Sequence, residues 1–100
     1  MEWDDLRKDI EVIFHKKSEK LGIRANIELQ FIEDAPIVWE YVYGEAFPDE
    51  NKVWLEVVAP DASNKKITEH ICHELIHLKF SDLNHDSEEF EEKVRECMKN

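Results

Sequence analysis

The feature that most constrains the fold is a change in the spacing of the apolar residues along the chain. Over the first 21 residues they recur every three or four positions, which is the period of an amphipathic helix that buries one face. We therefore predict a helix over residues 2–21 that Gly22 ends. Its buried stripe consists of Trp3, Leu6, Ile10, Ile13, Phe14 and Leu21.

The middle of the chain follows the two-residue period of half-buried strands. Residues 26–33 alternate apolar and polar side chains, and residues 37–43 are aromatic and β-branched. The short turn at Pro36 between them predicts an antiparallel pair. A loop over residues 44–51 then leads to a third strand over residues 52–58, whose open edge could pair with an extended peptide.

Helical spacing returns in the last third of the chain. One helix is predicted over residues 64–80, and a second over residues 87–99, with Asp86 and Glu89 as its capping box. The stripe expected to be buried on the first of these helices is Ile67, Ile71, Leu75 and Leu78. The order α-β-β-β-α-α predicts one α+β domain over residues 1–100, with a three-stranded, mostly antiparallel sheet between its N-terminal and C-terminal helices.

The charge of the chain excludes several classes of partner. It has 24 acidic and 13 basic residues, so its formal net charge is -11. Binding to nucleic acid or to an anionic membrane surface is therefore not expected. No apolar run approaches the length of a membrane span, and the first residues do not form a signal peptide. We predict a soluble, cytoplasmic protein in which Cys72 and Cys97 stay reduced and serve as small buried apolar residues.

The motif His73-Glu74-Leu75-Ile76-His77 lies inside the predicted helix of residues 64–80. Residues four apart on a helix share one face, so the two imidazoles can reach one ion while Glu74 contacts a water beside it. Imidazole nitrogens are good zinc ligands, and a catalytic zinc site keeps three protein ligands with one open position. The sequence therefore predicts a zinc site at His73 and His77 with Glu74 as the general base.

A third ligand is required, and the sequence offers more than one. His85 is the leading candidate, because a chain reversal after the helix would return it to the metal. Carboxylates of the following segment compete with it, since zinc also binds oxygen ligands. These competitors are Asp86, Glu88, Glu89 and Glu92.

The short chain, its order of elements, its HELIH helix and the later histidine resemble the minigluzincins, a group of minimal soluble zincin metallopeptidases. The resemblance covers essentially the whole chain. It implies zinc ligands at His73, His77 and His85 and a general base at Glu74. It also implies a latent, zymogen-like form in which the C-terminal segment obstructs the cleft.

These observations predict a zinc-dependent peptidase that hydrolyses peptides or unfolded proteins. A homodimer formed by exchange of the C-terminal helix is a further expectation. One alternative is a metal-binding partner module without turnover. A second is a DNA-associated protease of the SprT-like kind, which the acidic charge disfavours.

Overall fold

The computed structural model describes residues 3–32, 42–57, 64–84 and 86–99. It confirms the α+β class, with a helix before the sheet and two helices after it. The elements in chain order are α1 (Trp3–Leu21), β1 (Asn26–Phe31), β2 (Val42–Phe47), a 3-10 turn (Pro48–Glu50), β3 (Lys52–Val57), α2 (Asn64–Lys79) and α3 (Glu88–Met98).

Helix α1 ends as its sequence predicts. Gly22 adopts a φ of +71°, a left-handed conformation that costs glycine little because it has no Cβ. The Gly22 and Ile23 amides then donate to the carbonyl groups of Glu19 and Ser18, at 3.0 Å each. This pair of hydrogen bonds is the Schellman arrangement, and it turns the chain from α1 toward β1.

The sheet has the strand order β1-β3-β2. Strand β3 pairs in parallel with β1 and antiparallel with β2. The predicted antiparallel pairing of the first two strands is therefore wrong, as is the predicted open edge on the third. The short connection Pro48–Asn51 joins β2 to β3 as a hairpin, with Asn51 at a φ of +48°.

Strand β3 lies in the centre because its apolar side chains are the most completely buried of the sheet. Val53, Leu55 and Val57 are fully buried, whereas β1 alternates exposed and half-buried positions. The predicted loop over residues 44–51 is also wrong in its first half, since β2 extends to Phe47. Most of the predicted second strand, residues 37–41, lies outside the described residues.

One face of the sheet packs against α1 and α2 to form the main core. All three apolar patterns identified in the sequence contribute to it: the stripe of α1, the alternating residues of the strands and the stripe of α2. The buried members of this core are Leu6, Ile10, Phe14, Val42, Val53, Leu55, Val57, Ile67, Ile71 and Leu75.

A second, smaller core joins α2 to α3. It consists of Cys72, Ile76, Phe90 and Cys97, and its two cysteines form a disulfide with a Cα–Cα distance of 5.8 Å. The expectation of reduced cysteines is thus wrong, because the packing of α3 on α2 brings them within bonding reach. The N-cap of α3 is Ser87 rather than Asp86, and its hydroxyl accepts a hydrogen bond from the amide of Phe90.

In the ranges that the structure describes, no helix has both the length and the apolar character needed to cross a membrane.

Candidate metal centre

The two cores bury α2 from two directions and leave one edge of the helix for polar side chains. Ile71 and Leu75 face the sheet and α1, whereas Cys72 and Ile76 face α3. His73 and His77 lie half-buried on the edge between these two faces. The helical period therefore places both imidazoles together beside β2.

The imidazoles and the carboxylate of the motif converge. The Nε2 atoms of His73 and His77 lie 3.1 Å apart. One potential ligand atom from each of His73, Glu74 and His77 lies within 4.8 Å of the other two. Two nitrogens bound to one tetrahedral zinc ion at 2.0 to 2.1 Å would be about 3.4 Å apart. The donor types and their spacing thus fit a metal ion.

Glu74 differs from the histidines in its burial. The residue is 6% exposed. Burial raises the pKa of the Glu74 carboxyl to about 7, and the negative charge of Glu45 on β2 adds to the rise. A carboxyl that titrates near neutral pH is suited to accept a proton and to return it.

Gly44 of β2 lets the strand approach Glu74 closely. A Cβ atom at this position would lie 3.1 Å from Cγ and 3.2 Å from Oε2 of Glu74, and 3.0 Å from Cδ2 of Leu55. Any larger residue would therefore displace the carboxylate or the leucine. The strand and the helix together enclose a depression of about 420 Å³, which Gly44, Glu45 and Ala46 line opposite the motif.

The third ligand stays a prediction. His85 lies outside the described residues. The described carboxylates of Asp86, Glu88, Glu89 and Glu92 are not part of the group formed by the motif. Asn84 and Asp86 belong to the turn before α3, where the side chain of Asn84 accepts a hydrogen bond from the amide of Asp86.

Two neighbours of the motif were missed by the sequence analysis. The Phe90 ring of α3 packs against the imidazoles of His73 and His77, with centroid distances of 4.9 and 4.5 Å. Glu45 comes from the segment predicted as a loop. A glycine inside a strand is a signal of close backbone approach, so Gly44 was the one clue to the contact between β2 and Glu74.

The described residues form a small α+β domain with a His-Glu-His group on a helix beside strand β2. A solved structure similar to this chain is the crystal structure of the metallopeptidase zymogen of Pyrococcus abyssi abylysin. The TM-score is 0.61 at 17% identity, covering 86% of this chain and 76% of that chain. The sequence matches no model of a protein family. It also matches no curated protein.

The raised pKa of Glu74 predicts a pH dependence of stability in the metal-free protein. Between about pH 4.5 and pH 7 the folded state keeps a proton that the unfolded state has released, so the free energy of unfolding falls as the pH rises. Relative to Glu74→Gln, which lacks this titration, the wild type should lose on the order of 2 kcal/mol by pH 8, allowing for partial solvent screening. Urea unfolding of both chelator-treated proteins from pH 4 to 8 measures the difference. A constant difference across this range would contradict the assignment.

The contact at Gly44 predicts a local defect in Gly44→Ala. The added methyl group should move the Glu74 carboxylate and destabilise the fold by about 1 to 3 kcal/mol. Gly22→Ala is the matched control, because its cost comes from the positive φ and it is remote from α2. We expect both variants to unfold at lower urea, but only Gly44→Ala to change the pH dependence of stability that comes from Glu74. The same pH dependence in the two variants would show that the close approach of β2 does not position Glu74.

Proposed function

We propose that the protein is a zinc-dependent peptidase of the minigluzincin kind. One observation carries the proposal: the two imidazole nitrogens and the buried carboxylate of one helix converge within 4.8 Å, in a fold similar to that of a metallopeptidase zymogen. His73 and His77 would be zinc ligands, His85 the third ligand and Glu74 the general base. The substrate would be a peptide or an unfolded protein.

Each group of the chain has a distinct part in this mechanism. His73, His77 and His85 would hold the zinc ion, which would supply a Lewis acid for the scissile carbonyl and the attacking water. Glu74 would take a proton from that water and pass it to the leaving amine. In the metal-free chain, burial raises the pKa of this carboxyl, which favours its taking up a proton.

The edge strand β2 supports a peptide as the substrate. In the described residues, β2 pairs only with β3, so its other edge offers backbone groups to an extended chain. Gly44 lies on this strand directly beside Glu74. A peptide that pairs with β2 would pass next to the carboxylate, which is where its scissile bond must lie.

The proposal includes latency of the intact chain. The likeness to a zymogen supports it, as does the position of α3, whose Phe90 lies against both imidazoles. Phe90 and Cys97 are each 1% exposed, so α3 also completes the core. Activation would therefore have to shift α3 without removing it. Exchange of α3 between two copies of the chain is the proposed route to a homodimer.

The metal ligands can be tested one at a time. His73→Ala, His77→Ala and His85→Ala should each lower the zinc content of the purified protein, measured by elemental analysis after dialysis. Glu88→Ala and Glu92→Ala, at the positions of the competing carboxylates, should keep it. If His85→Ala retains stoichiometric zinc while either glutamate variant loses it, the third ligand belongs to α3.

The general base predicts a separation of metal binding from hydrolysis. Glu74→Gln should bind zinc and fold, yet lose at least about 100-fold in the rate of peptide hydrolysis. The assay uses an unfolded protein substrate, with and without chelator, on intact protein and after limited proteolysis. Glu11→Gln, which changes an exposed carboxylate on α1, is the control and should keep the wild-type rate. Equal, measurable rates for wild type and Glu74→Gln would contradict the mechanism, and zinc binding without any hydrolysis even after proteolysis would favour a metal-binding module.

A further inference from the structure

Helix α3 contacts the candidate metal centre through two groups that the mechanism above does not use. The Cys72–Cys97 disulfide joins α3 to the residue that directly precedes His73. The Phe90 ring contacts both imidazoles of the motif. Both cysteines and Phe90 are at most 1% exposed, so these contacts belong to a packed interior.

The position of the Phe90 ring restricts the imidazoles. It meets the His73 ring edge to face, at an interplanar angle of 74°, and lies tilted by 37° against the His77 ring. An imidazole that rotated toward α3 would have to displace this buried ring. Holding ligands in their binding orientation before the ion arrives lowers the entropy cost of binding.

Other contacts keep α3 in place when the disulfide is absent. The Lys20 ammonium donates to the Glu96 carbonyl at 2.7 Å, and the Lys17 ammonium donates to the Lys99 carbonyl at 3.2 Å. Both lysines lie on α1 and donate to carbonyl groups at and just after the C-terminal end of α3, where a positive charge is favourable. Cleavage of the disulfide should therefore loosen the position of Phe90 without releasing the helix.

We propose that Phe90 is a positioning residue for His73 and His77, and that the Cys72–Cys97 disulfide makes the zinc affinity depend on the thiol redox state. The oxidised protein binds zinc more tightly than the reduced protein. In the reduction, a dithiol gives two electrons and two protons to the disulfide. The S–S bond breaks, two thiols form, and the dithiol becomes a cyclic disulfide. This inference rests on the metal site of the proposed function but not on hydrolysis.

Thermodynamic linkage gives the proposal a second, independent consequence. If the disulfide raises the zinc affinity by some factor, zinc binding must lower the equilibrium constant for reduction of the disulfide by the same factor. For a two-electron couple, a tenfold change in the equilibrium constant equals about 30 mV. Zinc should therefore make the reduction potential of the disulfide more negative.

The experiment measures the zinc dissociation constant by competition with a chromophoric chelator. Oxidised protein, dithiol-reduced protein and Cys72→Ala/Cys97→Ala are compared where circular dichroism shows all three folded. We expect zinc binding about tenfold weaker in the last two forms, a loss typical for supporting residues around a metal. The double variant has no thiols, which separates the effect of the lost disulfide from zinc binding by free cysteines.

Phe90→Leu tests the ring itself in the oxidised protein. It should weaken zinc binding by a similar factor, whereas Phe14→Leu, a buried aromatic in the main core, should leave it unchanged. Equal weakening in both variants would show a general stability effect and overturn the positioning role. Dissociation constants that do not depend on the redox state would overturn the coupling, as would a reduction potential that zinc does not shift.

The outcomes also distinguish this inference from the proposed peptidase. A protein that binds zinc with the expected redox dependence but never hydrolyses a peptide supports the inference and contradicts the enzyme. An active, zinc-loaded enzyme whose zinc affinity does not depend on the redox state supports the peptidase and contradicts the inference. Absence of zinc binding in the oxidised wild type overturns both.

Discussion

The structure depends on the burial of α2 from two directions. The sheet and α1 cover the side with Ile71 and Leu75, and α3 covers the side with Cys72 and Ile76. A helix of this length, packed on two faces, has only a narrow edge left for polar groups. The histidines of the motif occupy that edge. Packing of the apolar residues between and beside the imidazoles therefore determines where the two histidines lie.

The same packing determines the chemistry of Glu74. Burial against β2 raises the pKa of its carboxyl, in a chain whose net charge is already -11. Both effects favour a cation or a proton beside this carboxylate. The glycine at position 44 keeps the distance short, since a Cβ there would lie only 3.1 to 3.2 Å from the Glu74 side chain. The fold thus raises the pKa of this carboxyl by burying it beside β2.

This chain shares its fold with a protein to which few of its residues are identical. The chain resembles a metallopeptidase zymogen in structure at only 17% identity. Cores accept many apolar substitutions as long as the volume and the pattern of burial are kept, so a similar architecture needs few identical residues. In this chain the second core places α3 in contact with the motif, through the Cys72–Cys97 disulfide and the Phe90 ring.

The sequence by itself determined what depends on neighbours within one or two helical turns. The period of the apolar residues predicted the α+β class, α1, β1, β3 and α2, and the spacing of His73 and His77 placed both on one edge. Only the tertiary structure decided the central position of β3, the extent of β2, the disulfide, the close approach of Gly44 to Glu74 and the effect of the Glu45 charge on Glu74. Strand order and helix packing join residues far apart in the chain, and short-range periodicity does not specify which partners meet.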